Sequence, residues 1–132
     1  MKRSKTEVIQ ARIKKSRSSI QAAEVLIQQS LHLEAGNKIY YAAFHIVKAL
    51  LATREFDAKT HSGVKSLFSE HFVNTGLVSK EYGSFFSDLE RTRSDFDYND
   101  FVSYTDEEID ELLSQTKEFL GAIESFIDNE LS

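Results

Sequence analysis

No proline interrupts this 132-residue chain, and apolar residues recur at helical spacing almost from end to end. A strand-rich chain of this size would need Gly and Pro for its turns, yet only five glycines are present. The pattern predicts five helices, over about residues 6–31, 38–53, 63–73, 79–96 and 105–131. Stops are expected at EAGN, with Gly36 as punctuation, and at NTG, with Gly76 in a left-handed position. Thr60 or Ser62 is the expected N-cap of the third helix, and Ser62-Gly63 reads as helix-start chemistry rather than as a nucleophile. Thr105 with Glu108 forms a capping box that opens the fifth. Core stripes are expected at Ile20, Ala23, Val25, Leu26, Ile27 and Leu31, and at Ile109, Leu112, Leu113, Thr116, Leu120, Ile123, Ile127 and Leu131. Short connections favour antiparallel neighbours. The expected architecture is an all-α, up-and-down four-helix bundle with an extra short helix, forming one domain over residues 1–132.

Charge and cysteine content narrow the function. With no cysteine, disulfides and thiolate metal sites are excluded. No apolar run approaches the roughly 18 residues of a membrane span. The start, MKRSKTEVIQ, lacks the apolar stretch of a secretory signal, so a cytoplasmic address is expected. The net charge is −5, unevenly spread. Residues 1–20 hold seven Lys or Arg and one Glu; residues 105–132 hold nine Asp or Glu and one Lys. The two segments could therefore lie side by side. Overall acidity argues against a general nucleic-acid coat but leaves room for a local basic patch. The four histidines show no metal-ligand spacing, and no glycine loop could cradle a phosphate, so neither metal nor cofactor is expected.

The second helix is apolar over roughly 220° of its circumference, from Ile39 and Tyr40 to Leu51, and must be covered on several sides. Its remaining face carries Tyr41, His45 and Lys48. That face is either a wet surface or dimer contact, or a groove with a titratable His.

The fourth helix ends in RTRSDFDYND. Arg91 points towards Asp88 and Asp95, as a surface pair of small value. Arg93 falls inside the apolar arc of Tyr82, Phe85, Phe86, Leu89 and Phe96. A guanidinium cannot shed its charge, so a partly buried one needs an acceptor, and Asp97 stands one turn on. The pair either pins a helix or dimer seam, or holds an arginine at a cleft where its fork can grip phosphate. Tyr98 would add a hydroxyl and a stacking face for a base.

Taken with IYYAAFHIVKALL (39–51) and KTHSGVKSLFSEHFVNTGLVSKEYG (59–83), the RSDFDY stretch (93–98) resembles the small stand-alone HEPN proteins of prokaryotes. That family combines a YYA-x-FH helix, a THxGV…LF…FVxTGL segment and an Arg-x3-Asp-Tyr ending, and the likeness covers about residues 8–125. The resemblance implies a four- or five-helix fold, often dimeric, and a minimal nucleotidyltransferase as partner. It also implies kinship with metal-independent endoribonuclease toxins, which the nucleotidyltransferase silences by adenylylating a tyrosine. In those toxins an Arg holds the scissile phosphate, and a His that follows after four to six intervening residues moves the proton.

Here the positions at that spacing are Tyr98, Asn99 and Asp100 from Arg93, and Phe96, Asp97 and Tyr98 from Arg91; none is His. A tyrosine is a poor base at neutral pH, and an ion-paired carboxylate is a weak one. Arg93, Asp97 and Tyr98 are therefore the catalytic candidates, and Arg93, Tyr98, Tyr41, His45 and Lys48 the binding candidates. His45 also matches the YYA-x-FH helix. Two functions follow. One is a dimeric partner of a minimal nucleotidyltransferase in a toxin–antitoxin-type module, binding RNA or nucleotide without efficient cleavage. The other is an endoribonuclease toxin using Arg93 with a non-standard acid–base group. Either predicts a homodimer. Light scattering at tens of micromolar should give about twice the chain mass of 15.1 kDa; a mass of one chain would count against it.

Overall fold

The computed structural model describes residues 3–100 and 103–132. The described chain folds into five α-helices, α1 at Lys5–Gln28, α2 at His32–Ala52, α3 at His61–Phe68, α4 at Lys80–Tyr98 and α5 at Asp106–Leu131. A π turn at Ser69–Val73 prolongs α3, and no strand occurs among the described residues. The helices start where side chains can satisfy their first free N–H groups. Ser4 accepts from Glu7 N, Thr60 from Gly63 N and Ser79 from Tyr82 N. Thr105 and Glu108 form the expected reciprocal box. Thr60 rather than Ser62 is thus the cap of α3.

Helix α2 is the hub and touches α1, α3, α4 and α5. Its buried residues run from Ala35 to Ala52 and include Ile39, Tyr40, Ile46, Val47, Leu50 and Leu51. Opposite them sit Ile9 and Ala23 of α1, Phe86 and Leu89 of α4, and Phe119, Ile123 and Ile127 of α5. The breadth of the apolar arc in the sequence is thereby accounted for. A helix buried on one stripe only would not need apolar residues all round.

Several expected boundaries and stripes move. Gly36 does not break the chain: it lies inside α2, and the reversal falls at Gln29–Leu31, where Ser30 takes a φ of 61°. Gly36 is required for close packing, because a Cβ there would run into the Phe96 ring of α4. Gly76 does adopt a φ of 84°, in the turn that leads towards α4. The third helix does not continue in α register to residue 73. It widens at Ser69, with Asn74 N donating to Ser69 O at 2.8 Å, and the adjacent Phe72 and Val73 are both buried. Val25, Leu31 and Leu131 are exposed rather than core, Leu131 by 47% at the end of the last helix. Phe119, absent from the expected α5 stripe, is fully buried against Phe68, Phe85 and Phe86. The basic and acidic segments do meet, through Arg17 and Glu124 at 3.3 Å.

The Gly36–Phe96 contact fixes where the end of α4 rests on α2. Replacing Gly36 by Ala gains about 1 kcal/mol of helix propensity but overpacks the ring, which typically costs about 1–3 kcal/mol. Gly36→Ala should therefore lower Tm by a few degrees in a circular-dichroism melt. Adding Phe96→Leu should recover part of the loss. A Tm raised by Gly36→Ala alone would contradict the packing role.

Candidate phosphate site around Arg93

Arg93 projects from the last turns of α4 towards α2. Its side chain is only 13% exposed, and Nη1 donates to Asp97 Oδ2 at 3.0 Å, the expected i, i+4 pair. Its Cζ lies 5.1 Å from the centre of the Tyr40 ring, a cation–π geometry. Nε is buried without a hydrogen-bond partner. Burial works against the arginine's charge, but the Asp97 hydrogen bond and the facing Tyr40 and Tyr41 hold its pKa above the ordinary value. The cation is thus fixed in place with donor capacity to spare.

Tyr40 itself is 1% exposed, and its hydroxyl lies 2.6 Å from Nδ1 of His61, at the start of α3. Burial, with the charge of Glu90 nearby, pushes the phenol well above its usual range, so it stays protonated. The His61 ring stacks on Phe44 at 4.6 Å and meets Tyr41 edge-on at 5.8 Å. Burial lowers its pKa, helped by the charges of Arg93 and Lys48 and opposed by Glu90. Glu90 sits one turn before Arg93 and faces Lys65 of α3 at 3.3 Å. Three helices therefore converge on one partly buried cluster of Arg93, Tyr40, His61 and Glu90.

The other expected residues divide. Tyr41 belongs to the cluster through its ring contacts with Phe44, His45 and His61. His45 and Lys48 extend it towards α1. Lys48 and Arg12 both pair with Asp57, at 3.3 and 3.2 Å, and Arg12 also donates to Lys48 O at 2.9 Å. Burial, with Lys15, Lys48 and Arg12 around it, lowers the His45 pKa to about 4. Tyr98 is 78% exposed, and no hydrogen bond or ring contact holds it among the described residues. Arg91 pairs with Asp88 at 2.8 Å, as expected, but Asp95 instead accepts from Tyr104 at 3.4 Å. Among the described residues no cluster of His, Asp and Glu is arranged to hold a metal ion. No helix among them is long and apolar enough to cross a membrane.

Sequence reasoning misses three members, Tyr40, His61 and Glu90. Tyr40 reads as part of the apolar arc of α2, with no local signal of a partner for its hydroxyl, and Glu90 meets Lys65 of α3 across a distance that no local spacing announces. His61 lies in the THSGV segment, whose one local signal is a histidine directly after the capping Thr60.

Comparison with known proteins agrees with this architecture. Residues 9–126 match the HEPN domain, and the chain belongs to that family. It is 33% identical to a "UPF0332 protein" of Thermotoga maritima, over 95% of each chain. It is 33% identical to the "Putative toxin MJ0605" of Methanocaldococcus jannaschii, over 89% of this chain and 87% of that one. A second protein of that organism, "Putative toxin MJ0142", is 31% identical over 87% and 78%.

The histidine environment has a measurable consequence. An unfolded histidine titrates near 6.5, whereas His45 in the fold titrates near 4. Between these values the unfolded chain takes up the proton first, so His45 removes stability as the pH falls through about 6.5 towards 4. Imidazole NMR should show His45 still neutral at pH 5.5. His45→Gln should flatten the pH dependence of Tm in that window. A His45 titration midpoint at 6 or above would contradict the assignment.

Proposed function

We propose that this HEPN protein grips the phosphate of RNA or of a nucleotide with Arg93, as a homodimer in a toxin–antitoxin-type module whose other half is a minimal nucleotidyltransferase. The observation that carries this reading is the setting of Arg93: a nearly buried guanidinium, seated on Tyr40, braced by Asp97 and left with an unpartnered Nε. The ion pair with Asp97 uses Nη1, and an anion with several acceptor oxygens could take the guanidinium's remaining Nη N–H groups. Exposed Tyr98 offers a face on which a base can stack, and Lys48, Arg12 and Lys15 extend positive charge along α2 and α1. The word toxin in the names of two relatives supports the module. Leu31 and Leu33 at the α1–α2 turn, together with Tyr98, leave apolar surface for a second copy.

A second reading, the metal-independent endoribonuclease, is favoured by the Tyr40–His61 pair. The residues that follow the arginines along α4 include no histidine. His61 supplies a titratable group from α3, 32 residues earlier in the chain.

A charge-assisted hydrogen bond is worth about 1.5–3 kcal/mol, or roughly tenfold to hundredfold in affinity. With a fluorescent single-stranded RNA at fixed salt, Arg93→Ala should weaken binding at least tenfold by anisotropy. Arg93→Lys should recover only part, because the planar fork is lost. RNA binding unchanged by Arg93→Ala would defeat the reading. Production of the chain without a nucleotidyltransferase, with growth scored, tests the toxin side.

A further inference from the structure

We propose that His61 is the proton-transferring group of this site, acting on an RNA phosphodiester held by Arg93, and that Tyr40 is the positioning residue that fixes its ring. This rests on Arg93 as the phosphate grip proposed above. Three independent observations place His61 there. Its Nδ1 is tied at 2.6 Å to the one hydroxyl whose ring carries the Arg93 guanidinium. Its ring packs on one side against Phe44, Tyr40 and Tyr41, with centroids at 4.6, 5.6 and 5.8 Å. No hydrogen bond engages Nε2 among the described residues, so that nitrogen remains for a substrate.

The Tyr40 hydroxyl can donate to Nδ1 or accept from it. When it accepts from Nδ1–H, Nε2 presents its lone pair, and a proton gained at Nε2 leaves the Tyr40 hydrogen bond intact. The groups facing His61 are Tyr40, Tyr41 and Lys48 from α2, and Arg93 and Glu90 from α4. The balance of burial and the two cations over Glu90 keeps the imidazole neutral near pH 7, the form a general base requires.

The step this arrangement serves needs no group beyond the substrate itself. The ribose 2′-oxygen bonds to phosphorus as its proton passes to Nε2 of His61. The bond from phosphorus to the 5′-oxygen breaks, and that oxygen takes a proton from water. Arg93 neutralises the charge gathering on the non-bridging oxygens. His61 then returns its proton to solvent. The products are a 2′,3′-cyclic phosphate and a 5′-hydroxyl, and DNA, lacking the 2′-hydroxyl, is not a substrate.

The experiment uses the purified full chain, a single-stranded RNA oligonucleotide, its all-deoxy counterpart and excess EDTA, with cleavage read on gels and binding by anisotropy. Wild type should bind and cut the RNA and leave the deoxy strand intact, with a rate that rises with pH as His61 loses its proton. His61→Gln should bind within about threefold of wild type and cut at least a hundredfold more slowly, the lower end of what general acid–base groups supply. Tyr40→Phe keeps the ring under Arg93 and should also slow cutting without the same loss of binding. Circular dichroism checks that both variants are folded. Equal cutting by wild type and His61→Gln, or RNA bound through Arg93 but never cut, overturns the role of His61 and leaves the phosphate grip standing. RNA binding unaffected by Arg93→Ala overturns the phosphate grip and the His61 proposal together.

Discussion

Burial of α2 on nearly every side governs both the fold and the site. A helix with buried residues from Ala35 to Ala52 can leave water only if α1, α4 and α5 each cover part of it, and the chain closes around it accordingly. Each fully buried Leu or Ile there contributes about 1.5–3 kcal/mol relative to an exposed one. The same burial carries Tyr40 inside and brings its hydroxyl to His61 and its ring face to Arg93. The candidate site is thus built on the most constrained element of the molecule. Its geometry is set by core packing rather than by loops.

The electrostatics follow from that placement. Arg93 cannot be neutralised, so the fold surrounds it with an aromatic face and a carboxylate. His61 can be neutralised, and burial beside cations keeps it so. One fixed cation and one neutral imidazole therefore meet at a protonated phenol. A second basic group, around His45 and Lys48, lies further along α2 towards α1. The acidic surface of α5 is engaged in part by Arg17 and Arg54. Positive charge is therefore local, on a chain whose net charge is negative.

What the sequence made legible was local. Helix number, the Thr105–Glu108 box and the Arg93–Asp97 pair all depend on residues within one or two turns of each other, where spacing translates directly into contact. Gly36 was ambiguous because glycine serves both as a stop and as a place for close approach, and only the position of Phe96 separates the two. The reversal at Ser30 had no side-chain signal, since serine rarely takes a positive φ. The meeting of Tyr40, His61 and Arg93 was illegible for a different reason. It joins α2, α3 and α4, and no spacing rule reaches across three helices.

Arg93, Tyr40 and His61 are proposed to act as one phosphate-responsive unit. NMR observation of the Arg93 Nε–Hε signal and the His61 imidazole, during titration of the folded chain with a short non-cleavable RNA bearing 2′-O-methyl groups, tests it most directly. Both signals should shift together, with a common midpoint, and the shifts should disappear in Arg93→Ala. Shifts confined to the Arg12, Lys15 and Lys48 region, with Arg93 and His61 unmoved at saturation, would contradict it.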